Sequence, residues 1–336
     1  MTLKRASIAA IVVGALGVAV AVGLWAVPAD DFIFVPNRAQ PLAERVEIEE
    51  ARPTDDGEIY YVEVFVRRMT MLERVLPFTK PEGATVVPEE RLLPGDTTQA
   101  ERDRQVREEM ERSEQVAALV ALRELGYDVT AVPRGILVTG VYADTPAEGR
   151  LAAGDVVVAV DGRAVRTPQQ LQDAIAEREP GDEVHLTIRH AGDVRDLSLS
   201  TIANPTDSAR PFVGIQVDQA ADIELPVEVD IDLGRVGGPS AGLPFALEIT
   251  RLLGEDVTGG CRVAATGELA LDGTIIRVGG ISQKTVGARR ADVDAFLVPA
   301  GENAEEASRY ADGLRVIPVE SFQQALRALA TADLNC

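Results

Sequence analysis

The sequence is poor in the side chains on which many functions depend. It has two cysteines and two histidines in 336 residues. That scarcity excludes a disulfide-dense mini-fold, every multi-cysteine zinc motif and an H-E-x-x-H helix, so no metal site is expected. Positive charge is also short: 33 Lys and Arg stand against 54 Asp and Glu, a formal net charge of −21. A nucleic-acid partner is excluded by that balance, because binding needs clustered basic residues to neutralise phosphates. Lysine is the scarcest cation, present only as Lys4, Lys80 and Lys284, the remaining basic residues being arginine. A chain that writes arginine wherever a positive charge suffices makes an internal lysine conspicuous. What the chain does have is apolar content, 46% of residues, which excludes a disordered chain and, at this length, allows two or three domains.

Residues 7–27 form an uncharged, mostly apolar run of 21 residues, long enough as a helix to span a hydrocarbon core of about 30 Å. Lys4 and Arg5 precede it and Asp30 and Asp31 follow, which places the N-terminus inside and the rest outside. A cleavable signal peptide, with Val27-Pro28-Ala29 as a small-residue site, is the alternative. The run exceeds the usual 7–15-residue signal core, which favours a retained anchor and a single-pass protein of the cell membrane with its bulk extracytoplasmic. Disulfides persist there, so a bridge between Cys261 and Cys336 is left open beside two free thiols.

Residues 30–56 are polar and acidic and read as a spacer, and residues 58–67 alternate as one strand. Residues 98–125 have helical periodicity, with Val106, Met110, Ala117 and Val120 on one face and i,i+4 charge pairs that read as a solvated surface. From residue 212 onward strands and helices alternate in α/β fashion.

Residues 128–201 have a compact β-rich texture. "ADTPAEGRLAAGDVVVAVDGRAV", a following helix opened by Thr167-Pro168, and "PGDEVHLTIRHAG" resemble a PDZ domain of the bacterial protease-associated kind. In that family a peptide adds as an extra strand, and a glycine-containing loop holds its terminal carboxylate. Arg134, Gly135, Ile136 and Leu137 match that loop by position; the competing reading is a module that gates its neighbour without binding termini.

The chemistry concentrates in Gly237-Gly238-Pro239-Ser240-Ala241-Gly242, between a strand and a helix expected from residue 240. Ser240 there is either an N-cap or a nucleophile with N–H groups near Gly238, Pro239 and Ala241 facing an oxyanion. No histidine follows residue 190 to act as its base. The C-terminal part can offer a carboxylate or its one lysine, Lys284, as the base; arginine cannot be deprotonated, whereas a buried lysine can be shifted toward neutrality. "GGPSAG" and "TGELALDGTIIRVGGISQKTVGARRADVDAFLVP" resemble the proteolytic domain of the Lon peptidase family over about residues 210–330. The resemblance implies Ser240 as nucleophile, Lys284 as general base, and Thr266 as the threonine supporting the lysine. Two departures stand out: Gly237 replaces the acidic residue usual three before the serine, and Pro244 sits in the first turn of the helix. No G-x-x-x-x-G-K-[ST] phosphate loop is present.

Together these readings predict an α+β multidomain chain. It comprises a transmembrane helix over 1–29, a spacer and N-terminal segment of the protease domain over 30–127, and a PDZ domain (β-sandwich or barrel with helices) over 128–203. A Lon-type α/β proteolytic domain follows over 204–336, the PDZ unit being inserted before or within it. The function expected is ATP-independent serine endopeptidase activity on unfolded or exported polypeptides, needing no cofactor; a homo-oligomer is implied by the resemblance alone. The rivals are an inactive membrane-tethered PDZ adaptor and a Ser–Lys hydrolase of non-peptide acyl groups.

Overall fold

The computed structural model describes residues 2–49, 51–53, 56–92, 99–190, 192–205, 207–234, 236–331, 334 and 336, with side chains from residue 14 onward except at 90, 91 and 101. Helix α1 (Thr2–Ala26) opens the chain. The apolar run expected to span a membrane begins among side chains outside the described set; among the described residues, no helix is long and apolar enough to cross a membrane.

Part of the expected spacer is instead a strand. β1 (Pro28–Pro36) carries Phe32-Ile33-Phe34-Val35, and Ile33 and Val35 are buried. The strand expected over residues 58–67 is broken into β2 (Glu58–Tyr61) and β3 (Val64–Thr70). Glu63 marks the break, because its carboxylate accepts hydrogen bonds from the Asn37 and Gln40 amides. β3 pairs antiparallel with β1, whose other edge takes β4 (Thr85–Val87). An apolar core of Ile33, Val35 and Met69 outweighs the acidic residues around it.

Helix α2 (Gln99–Glu124) follows, with Val116 to Leu122 entirely buried. Next comes an antiparallel sheet built from β5 (Thr130–Val141), β6 (Val156–Val160), β7 (Glu183–His190), β8 (Asp193–Ser200) and β9 (Ile215–Glu224), in the order β8-β7-β6-β5-β9. The turn after β6 uses Asp161 at φ 47° and Gly162 at φ 74°, the left-handed pair that a tight hairpin demands. Helix α3 (Pro168–Ala176) is capped by Thr167, whose hydroxyl accepts from the Gln170 N–H at 3.3 Å. This sheet has its own core, including Ile136, Val157, Leu171, Leu186 and Ile188. β9 lies beyond residue 203, so the sheet draws on chain from the expected proteolytic segment.

The C-terminal part contains α4 (Gly242–Leu252), β10 (Arg262–Ala265), α5 (Ile281–Arg290), β11 (Ala295–Pro299) and β12 (Arg315–Val319). Gln40–Pro41, β2, β10, β11 and β12 form a five-stranded sheet, parallel except for its first edge. β2 runs beside β10 with Glu58 opposite Arg262 and Tyr61 opposite Ala265. Chain from ahead of the β5–β9 sheet therefore completes this one. A largely parallel sheet needs cover on both faces; α4, buried at every residue, packs with Ile59, Val263 and Leu297, and α5 packs with Tyr60, Ala264 and Phe296. The two charged groups of α4 offset each other: Glu248 accepts from Arg251 at 2.8 and 2.9 Å. The pairing the sequence left open is made, since Cys261 and Cys336 form a disulfide.

Candidate active site

Thr266 emerges at the carboxyl end of β10, where open parallel sheets place their reactive groups. Its N–H continues the ladder by donating to Leu297 O at 3.0 Å, and its side chain is fully buried. The Thr266 hydroxyl donates to Ser240 O at 3.1 Å, and the Gly267 N–H donates to the same carbonyl at 3.0 Å. Lys284 Nζ donates to Thr266 Oγ1 at 3.1 Å. With its own proton committed to Ser240 O, the threonine can only accept from the lysine. The amine is thereby oriented while its lone pair stays unused.

Lys284 lies in the buried first part of α5, behind Gly280, whose φ of 71° starts the helix from the left-handed region. The side chain is 4% exposed. Burial without a nearby carboxylate pushes its pKa from the ordinary 10.5 to about 7. The amine is thus poised to exchange a proton near neutrality.

Ser240 is not an N-cap. It is the middle residue of a single 3-10 turn, Pro239–Ala241, whose cap position is Gly238 at φ 93°, and α4 begins only at Gly242. Among the described residues its hydroxyl makes no hydrogen bond, so the structure brings Lys284 to Ser240 through Thr266 rather than by a direct bond. Of the expected oxyanion donors, Pro239 has no N–H and the Gly238 N–H is committed to Val106 O at 2.8 Å. The N–H of Ala241, the third expected donor, lies in the same turn as that of Ser240. Pro244 falls in the first turn of α4 and breaks no helical bond.

Two residues of α2, Val106 and Ser113, shape this turn. The Ser113 hydroxyl donates to Pro239 O at 3.0 Å. A Cβ on Gly242 would lie 3.0 Å from Ser113 Oγ, and one on Gly237 would lie 2.8 Å from Val106 Cγ2. The acidic residue missing at position 237 is therefore displaced by Val106. Arg112, expected to be solvated, bonds Asp218 and the Gln219 carbonyl at 2.7 and 2.6 Å. One signal was available: Ser113 interrupts the apolar stripe of Met110, Ala117 and Val120. Glu268, two residues past Thr266, was also missed; burial and the charge of Asp218 raise its pKa to about 7.

Arg134, Gly135, Ile136 and Leu137 do not form a loop. They lie within β5, where Gly135 pairs with Ala220 and Ile136 with both Gln219 and Val157. A Cβ on Gly135 would meet Val157 O at 2.6 Å, so glycine serves strand packing there. Ile136 and Leu137 are paired on both edges, and a cavity of about 290 Å³ lies between α3 and Phe212, Ile215 and Val217.

Comparison with known proteins finds two family matches that overlap over residues 187–201. Residues 123–201 match the PDZ domain family, and residues 187–332 match the Lon protease (S16) C-terminal proteolytic domain. The Lon protease of Phenylobacterium zucineum is 30% identical over 156 residues, 46% of this chain and 20% of that protein. The magnetosome formation protease MamE of Paramagnetospirillum magneticum is 33% identical over 131 residues, 38% of this chain and 16% of that protein. The matched region thus spans a fifth or less of either relative. The PDZ domain of an SdrC-like protein from Listeria innocua is 30% identical with a TM-score of 0.23, covering 25% of this chain and 92% of that one. The chain thus contains one region similar to PDZ domains and one similar to the Lon C-terminal proteolytic domain.

Proposed function

We propose that the protein is a serine endopeptidase acting through Ser240 and Lys284, tethered to the membrane and independent of ATP. The observation that carries this reading is the buried Lys284 amine, near-neutral and hydrogen-bonded to Thr266, which in turn holds Ser240. Neutral Lys284 removes the Ser240 proton as the oxygen attacks a peptide carbonyl; bonds of this kind tighten when substrate is bound. N–H groups of the Ser240 turn face the developing oxyanion, and protonated Lys284 returns its proton to the leaving amine. Water activated by the same amine then releases the acyl group.

The apolar run of residues 7–27 supports the tether, and the Cys261–Cys336 disulfide suits an oxidising extracytoplasmic compartment. ATP independence, with unfolded or flexible exported polypeptides as substrates, belongs to the same reading. The PDZ unit selects or gates them. Incubating the protein with a reduced, alkylated polypeptide beside Ser240→Ala and Lys284→Arg tests the reading. Cleavage by the parent and neither variant is expected. Equal cleavage by all three removes the Ser–Lys assignment, and no cleavage by any supports a non-catalytic PDZ adaptor.

A further inference from the structure

We propose that Arg112 and Ser113 of α2 are positioning residues for the Ser240 turn, with β9 fixing their place; this rests on the serine-endopeptidase reading. Consecutive on one helix, they grip different parts of the molecule. Ser113 holds Pro239 O, the carbonyl just before Ser240. One helical face and seven residues earlier, Val106 O holds the Gly238 N–H. Two bonds from α2 therefore bracket the turn, and the contacts at Gly237 and Gly242 leave no slack between turn and helix. Lys284 is positioned separately, by α5. A shift of α2 along its axis moves Ser240 relative to Lys284, and small misplacements of reacting groups are costly in rate.

Arg112 determines where α2 sits against the PDZ sheet. Its guanidinium donates to Asp218 Oδ2 at 2.7 Å and Gln219 O at 2.6 Å, and the ion pair is mostly shielded, with side chains 27% and 16% exposed. A charge-assisted contact of this geometry, unlike an exposed surface pair, constrains position. Glu268 lies close enough to Arg112, Asp218 and Glu109 to interact with them. Asp218 pairs in turn with Leu137, and Gln219 with Ile136, on the strand resembling the peptide-binding edge. Displacement of β9 from that edge would release Arg112, and Ser113 is the next residue along.

Amide hydrogen exchange in the full chain tests this without requiring catalysis. In Ser113→Ala and in Arg112→Met, the amides of 240–243 should exchange about fivefold faster, the scale of one hydrogen bond, while those late in α5 stay unchanged. With a reduced, alkylated polypeptide, kcat should fall about fivefold at constant KM. Ser113→Thr should restore most of it, and the double variant should be less than twofold worse than Arg112→Met alone. Asp218→Asn must reproduce the exchange pattern should Arg112→Met fold poorly. Unchanged exchange at 240–243, or effects that multiply in the double variant, would overturn the proposal. Altered exchange with no cleavage by the parent removes the endopeptidase reading instead.

Discussion

The sharpest expectation concerns pH, because one buried amine is asked to serve catalysis at the expense of stability. Lys284 has its pKa lowered from 10.5 to about 7 by burial. At about 1.4 kcal/mol per unit, that drop is on the order of 5 kcal/mol of unfavourable desolvation at acidic pH. The unfolded chain keeps the proton up to about 10.5 and the folded chain only up to about 7. Unfolding therefore takes up a proton in that window, and stability rises with pH across it. Lys284→Met removes the charge while roughly preserving shape. The variant should be more stable than the parent at pH 6 by several kcal/mol, and the gap should narrow by about 3 kcal/mol at pH 9. Urea melts at the two pH values measure both numbers. Cleavage should follow the neutral amine, standing at about a tenth of its plateau at pH 6 and about nine-tenths at pH 8. Glu268 is also shifted to about 7, so Glu268→Gln serves as the control and should keep the same rising limb. Cleavage that is flat from pH 6 to 9, together with a stability gap that ignores pH, would refute the reasoning.

Thr266→Val removes the only hydrogen-bond partner of the Lys284 amine among the described residues. It should lower kcat by at least tenfold with little change in KM, measured by steady-state cleavage. Gly237→Asp, which restores the acidic residue usual in Lon, should not improve activity. Its Cβ meets Val106 at 2.8 Å, so denaturant melts should show a loss of about 1–3 kcal/mol. Reducing the Cys261–Cys336 bridge, which closes a loop of 75 residues, should cost about 2–4 kcal/mol in the same assay.

Several features were legible because each is written locally. The scarcity of lysine singled out Lys284, and the glycines around Ser240 marked a turn between strand and helix. Helix α4 begins two residues after its expected start because its apolar periodicity is encoded within a few residues. Other features needed contacts distant in sequence. β1 was hidden among acids because its partners lie on strands about 30 and 50 residues later. The break at Glu63 depends on Asn37 and Gln40, which sequence pattern does not bring together.

The sequence by itself narrowed the base for Ser240 to a carboxylate or Lys284, since no histidine follows residue 190, and the resemblance to Lon favoured the lysine. Tertiary structure decided whether that lysine could act as one. A pKa near 7 is a property of surroundings, and those come from packing α5 against residues such as Ala264 and Phe296 of the sheet, with Thr266 as the amine's partner. Tertiary structure also decided that a helix preceding the PDZ unit would hold the Ser240 turn. Hydrogen bonds between residues 106 and 238, or 113 and 239, join positions more than a hundred residues apart, and no local propensity encodes such a pairing.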